Sequence, residues 1–325
     1  MTVADVAAIR RGAGLFSLSD RALLEVTGGD RVRWLQGQIS NDVETLAVGE
    51  GCYATALTVK GRIVADLHVL ARDDRFWIET GAAVRDALWQ RLDRYIVADD
   101  VELGDASDRF ERLALEGAEA GGVLASLGAA LPPENGAREA RIAGCEAVVW
   151  AFGFSNEPAY QLLIPAGEAS AVREALLAAG SASGLVEADA AALETLRIES
   201  GVPALGSELD EEVFPAEARL AHAISTTKGC YTGQEIVERI RSRGAVNYLL
   251  VGLRFDGALP APGTELQTPD GKRVGEVTSV ASSPEAGAIG LGYLRRELEA
   301  PGSEVGAGEV AARVVALPFV GPGPA

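Results

Sequence analysis

At 325 residues the chain is longer than one hydrophobic core organises comfortably, and two or three domains are expected. Its net charge of -18 opposes general attraction to nucleic acid or anionic lipid, and no apolar run reaches the about 20 residues that cross a bilayer. Three cysteines without a CxxC (Cys52, Cys145, Cys230) and two histidines (His68, His222) do not supply a tetrahedral zinc site or a four-cysteine cluster within the chain. The odd thiol count argues against a disulfide framework, and Met1 to Arg11 lacks the apolar core of a signal peptide, so a soluble cytoplasmic protein is expected.

In chain order, Leu23 to Thr27 reads as a strand, and Asp30 then caps a short helix with Val32, Leu35 and Ile39 on one face. Tyr53 to Val59 and Ile63 to Leu70 are β-rich runs joined by the turn Lys60-Gly61-Arg62. Alternation puts Ile63, Ala65, Leu67 and Val69 on one face of the second run, and Val64, Asp66, His68 and Leu70 on the other. A strand from Phe76 to Glu79 precedes an amphipathic helix marked by Val84, Leu88, Leu92 and Tyr95. A second alternation of strands and helices runs from Phe110 to about Gly180, which suggests two related α+β lobes.

Residues Glu187 to Ser200 read as a helix closed by Gly201 and Pro203. Glu199 then sits in the last turn, facing the negative end of the helix dipole; it is either an exposed residue tolerated at small cost or a functional one. After Gly244 the strands Tyr248 to Phe255, Gly275 to Val280 and Ala288 to Leu294, with a turn at Pro269-Asp270-Gly271-Lys272, read as a small antiparallel barrel. The expected division is therefore 1–244 and 245–325, with disorder expected over 321–325. There is no P-loop and no GxGxxG fingerprint.

The densest local signal is the octet Lys228-Gly229-Cys230-Tyr231-Thr232-Gly233-Gln234-Glu235. Thr232 and Glu235 have capping-box spacing, and Ile236, Val237 and Ile240 begin a helical apolar pattern. A thiol just before a helix start and two residues from an ammonium should be drawn toward thiolate, which makes Cys230 a candidate reactive residue and Lys228 its activator. The alternative is a small packed hydrophobe. Arg239, Arg241 and Arg243 form a basic run that either holds a carboxylated ligand tail or is a solvated helix face.

The octet resembles the signature of the YgfZ/GcvT-type folate-binding family. So do Leu35-Gln36-Gly37-Gln38-Ile39-Ser40-Asn41-Asp42-Val43, the turn Lys60-Gly61-Arg62, the segment Arg197 to Pro203, and Gly275-Glu276-Val277-Thr278-Ser279. The resemblance covers nearly the whole chain. It implies a GcvT-like α+β fold, in which two lobes and a C-terminal antiparallel barrel surround a central cavity for tetrahydrofolate or a one-carbon derivative. It places Glu199 on the pterin ring, where a carboxylate suits an amino-pyrimidinone edge, and adds Gln38, Asp66 and Arg239 as candidate folate contacts.

Two functions are compatible with the resemblance. The octet points to the YgfZ branch, an accessory factor presenting Cys230 in support of iron–sulfur enzymes, including radical tRNA-modifying partners, without direct nucleic-acid binding. The other is folate-dependent aminomethyl transfer as in the T-protein, whose members carry paired aspartates after the hairpin turn, the first being the one implicated in the chemistry. Here the pair is Ala65-Asp66. On a strand the two residues face opposite ways, so the missing carboxylate at 65 counts against transfer unless Asp66 substitutes. His68 alone is too isolated to be assigned as a base.

Overall fold

The computed structural model of the chain describes residues 3–244 and 246–321. Helix α1 (Val3–Arg11) is followed by β1 (Ala13–Ser17), β2 (Arg21–Thr27), α2 (Arg31–Gln38), β3 (Gly51–Leu57), β4 (Ile63–Ala71), β5 (Phe76–Gly81), α3 (Arg85–Asp93) and β6 (Glu102–Asp105). Five of these strands form one sheet of order β3-β4-β5-β2-β6. The next elements are β7 (Phe110–Glu116), α4 (Ala120–Ser126), β8 (Ala137–Ile142), β9 (Cys145–Trp150), β10 (Ala159–Pro165), α5 (Ala169–Gly180) and β11 (Leu185–Glu187). They build a second sheet of order β11-β1-β7-β10-β9-β8. Helices α6 (Ala190–Ser200) and α7 (Gln234–Arg243) lead to β12 (Tyr248–Phe255), β13 (Glu265–Gln267), β14 (Arg273–Ser283), β15 (Gly287–Arg295), β16 (Glu304–Ala307) and β17 (Val310–Val315). These last strands close a barrel, β12-β15-β14-β13-β16-β17. The expected α+β architecture of two lobes and a barrel is present.

The hairpin β3–β4 shows how the sequence makes the site. Tyr53 pairs with His68 and Thr55 with Asp66 across the antiparallel ladder. On one face of β4, Ala65, Leu67 and Val69 are fully buried with Trp34 and Leu35 of α2 and Leu88 and Leu92 of α3. On the other face, Leu70 joins Trp150, Phe152 and Leu163 of the second lobe. Each buried Leu or Val among them contributes about 1.5–3 kcal/mol. Strand β4 is thus packed from both sides, and it carries polar residues only where the lobes part.

Local expectations differ from the structure at several places. Asp30 stands at the start of α2, but its carboxylate accepts the Asp100 N–H at 2.9 Å instead of capping the helix. Residues Leu185–Glu187 are extended, and α6 starts only at Ala190, capped by Asp189 accepting from Ala192 N at 3.0 Å. The Thr232–Glu235 capping box does not form. Gly233 occupies the cap at φ 87, where a Cβ would lie 2.6 Å from Thr58 O, and the Thr232 N–H goes to Gly37 O at 3.1 Å. The second lobe recruits β1, from near the start of the chain, which pairs with β7 and, in parallel, with β11. Position 245 of the expected division and positions 322–325 of the expected disordered end lie outside the described residues.

Candidate functional site

Between the lobes lies a cavity of about 730 Å³. Its polar floor comes from β3 and β4. Tyr53 donates its hydroxyl to Asp66 Oδ2 at 3.0 Å, and Asp66 and His68, two residues apart on one strand face, both line the space. Arg21 of β2 is locked to Glu79 of β5 by bonds of 2.5 and 2.8 Å and lies over the Phe154 ring. Asp66 Oδ1 and His68 Nδ1 are buried and have no hydrogen-bond partner. Burial raises the Asp66 carboxyl above the usual carboxylate range, against the opposing pull of Arg21 and the Tyr53 hydroxyl. Burial also keeps His68 well below ordinary imidazole values, with the neighbouring Arg21 and His222 acting in the same direction.

Rings form one wall. His68 stacks on Phe152 with centroids 3.8 Å apart, Tyr53 lies 4.9 Å from His68, and His222 stacks on the other side of Tyr53 at 5.4 Å. Both histidines of the chain therefore meet at the cavity. A space within the usual range for small-molecule sites, with an aromatic wall beside polar and charged groups such as Arg21, Asp66 and Asn156, suits a flat, hydrogen-bonding heterocyclic ligand. The loop carrying Phe152 and Phe154 is pinned from below by Glu116 of β7, which is fully buried. Its oxygens accept the Phe154 N–H at 2.8 Å and the Ser155 hydroxyl at 2.5 Å. Burial pushes the Glu116 carboxyl up to about 7.

Of the candidate residues taken from the sequence, Asp66 lines the cavity; the others do not. Glu199 is fully buried, ion-paired with Arg10 and accepting the Ser283 hydroxyl. Both oxygens are taken by the protein, so the expected pterin contact is corrected to a joint between α1, α6 and the barrel. Gln38 is held by Arg91, whose guanidinium donates to its Oε1 at 2.8 Å and to its carbonyl at 3.2 Å. Arg239 is exposed on α7, away from the cavity.

Cys230 is exposed and also lies off the cavity lining. The Lys228 ammonium is engaged by backbone carbonyls, donating to those of Ile39 at 2.8 Å and Asn41 at 2.6 Å, and burial lowers it to about 8. Its charge acts on the thiol of Cys52, which burial pushes up to about 12. Lys228 therefore fastens the octet to the segment after α2. Of the pair at 65 and 66, Ala65 packs in the core of the first lobe and Asp66 lines the cavity. Sequence reasoning missed Tyr53, Phe152 and His222. For His68 a signal existed, the shared strand face with Asp66, but nothing in the sequence announces that Tyr53 and His222 would join it. Among the described residues, no helix is long and apolar enough to cross a membrane, and no cluster of His, Cys, Asp and Glu could hold a metal.

Two α+β lobes with a cavity between them, which Asp66, Glu134 and Glu157 line with carboxyl groups, and a closed barrel beyond them define the class of protein. Residues 1–228 match the GCVT N-terminal domain, and residues 249–321 match the glycine cleavage T-protein C-terminal barrel domain. The chain belongs to this family. It is 34% identical over 324 residues to an aminomethyltransferase of Rubrobacter xylanophilus, spanning 96% of this chain and 84% of that one. With an aminomethyltransferase of Bacillus subtilis it is 30% identical over 326 residues, spanning 96% and 89%. Among solved structures it is similar to the glycine cleavage system aminomethyltransferase T of Bartonella henselae, with a TM-score of 0.88 at 25% identity over 98% of this chain and 90% of that one.

Proposed function

We propose that this protein binds tetrahydrofolate in the cavity between its lobes and transfers an aminomethyl group to it, working with a carrier protein of glycine cleavage. The observation that carries the reading is the placement of Asp66 on the cavity face of β4, next to an aromatic wall, in a chain whose relatives are named aminomethyltransferases. In such a transfer the folate nitrogen that takes up the carbon loses a proton, and the departing group gains one. A partly buried carboxyl with a raised pKa is suited to carrying that proton. Tyr53 orients the carboxyl, and Phe152, stacked on His68, stiffens the wall beside it.

The test is an assay with tetrahydrofolate and an aminomethyl-loaded carrier. Asp66→Asn is expected to lower kcat by about 10²-fold or more while calorimetry still detects the folate. A wild-type protein that binds tetrahydrofolate yet transfers nothing would overturn the reading. One observation favours a second function, the accessory role in support of iron–sulfur enzymes: the exposed thiol of Cys230 within the octet. That reading expects Cys230→Ser to fail in restoring iron–sulfur-dependent tRNA modification in cells lacking their own homologue, and full restoration removes it.

A further inference from the structure

Tyr53 lies on β3, the edge strand of its sheet, and it reaches Asp66 diagonally, because its direct partner across the ladder is His68. An edge-strand ring has a neighbouring strand on one side only. Here the other side is filled: His222, from the turn Ala221–Ala223, lies parallel to the Tyr53 ring at 16° and 5.4 Å. His68 takes the near side at 4.9 Å and is itself backed by Phe152 at 3.8 Å. Asn41 ties the His222 backbone to that of Tyr53 itself, donating to Tyr53 O at 2.8 Å and His222 O at 3.3 Å.

We propose that His68 and His222 are positioning residues for Asp66: they clamp the Tyr53 ring from both sides and hold its hydroxyl on Asp66 Oδ2, leaving the other carboxylate oxygen unengaged. The proposal rests on the transferase reading for its catalytic consequence, but the clamp is measurable without turnover. The charged groups facing Asp66 are Arg21 of β2 and Glu79 of β5, with Tyr53 from β3; the loop from the second lobe contributes the rings of Phe152 and Phe154. Burial holds both imidazoles below their ordinary range, so at neutral pH the clamp is made of uncharged rings.

A hydroxyl donating to a carboxylate stabilises its charged form, so loosening Tyr53 makes Asp66 harder to ionise. The probe is carbon-13 NMR titration of aspartate-labelled protein, with the Asp66 carboxyl assigned by its loss in Asp66→Asn. Tyr53→Phe is expected to move the Asp66 midpoint upward by about threefold or more in the protonation constant. His222→Ala and His68→Ala should move it the same way, and His68→Phe, which keeps a ring there, should restore most of it. In a Tyr53→Phe background the histidine substitutions should add nothing. In the transfer assay the acid limb of kcat should shift upward alongside, with KM for tetrahydrofolate within about twofold, as expected of a group acting through Asp66. An unchanged Asp66 midpoint in His222→Ala and His68→Ala overturns the clamp, as does an equal shift with Tyr53 already removed, which would mark a charge effect. Absence of transfer by the wild type, with the NMR pattern intact, would remove the transferase reading and leave the clamp standing.

Discussion

Glu116→Gln isolates one buried proton. The native carboxyl ionises near 7 because burial opposes its charge, whereas its ordinary value is 4.5. Between those values the folded protein holds a proton that the unfolded chain has released, so stability falls as pH rises through that window. The loss is complete above pH 7 and amounts to about 3 kcal/mol. Glutamine has nearly the same shape, still accepts the Phe154 N–H and can donate to Ser155, but it does not titrate. Relative to wild type, the variant should therefore gain about 3 kcal/mol between pH 5 and pH 8. For a chain of 325 residues unfolding as a unit this corresponds to about 4 °C in Tm. Calorimetric melts of both proteins at several pH values read it directly. A difference in Tm that does not change with pH would show that Glu116 is ionised throughout and that the pin under the cavity loop is an ordinary carboxylate.

Glu199→Ala should cost about 3–5 kcal/mol in denaturant unfolding, because it strips one partner from the buried Arg10, while calorimetric folate affinity of the folded fraction stays the same; weakened binding would return Glu199 to the ligand site. Lys228→Met should cost about 1–3 kcal/mol through the two carbonyls it leaves unpaired, yet leave the alkylation rate of Cys230 unaltered, and a slower rate would restore its role as activator. Iodoacetamide at neutral pH, followed by peptide mass spectrometry, should modify exposed Cys230 well before Cys52, whose thiol burial keeps protonated; comparable rates would contradict that. Gly233→Ala should destabilise by about 1–2 kcal/mol or more, since it combines a left-handed φ with contact against Thr58 O, and an unchanged unfolding midpoint would show that the turn yields freely.

The parts of the fold that sequence reading captures are those whose pattern is local. The barrel strand Tyr248–Phe255 was legible to the residue, and the hairpin around Lys60-Gly61-Arg62 nearly so, because alternation and turn residues adjoin each other. β1 escaped because its first four residues are all buried and show no alternation, and β13 and β16 escaped because they are too short to carry a period. In the site, Asp66 could be found from its strand face. The fate of Glu199 could not, since its partners Arg10 and Ser283 lie 189 and 84 residues away. The octet misled in a particular way: Cys230 and Lys228 are neighbours in sequence, but the lysine reaches toward the carbonyls after α2 while the thiol faces solvent.

The place of β1 bears on how the protein is made. It is flanked on one side by β7 and on the other by Leu185–Glu187, so a nascent chain that has emerged only through β6 holds a finished five-stranded sheet and a dangling amino-terminal ribbon. The first lobe behaves as an insertion in the second and can fold on the ribosome as soon as Glu102–Asp105 clears the exit tunnel, whereas the second must wait for residue 187. Chain entropy for holding the ribbon in reserve grows only slowly with the length looped out, but until then its apolar strand Ala13–Ser17 is without partners. Deleting that strand should spare the lobe next to it in sequence and unravel the one some hundred residues downstream.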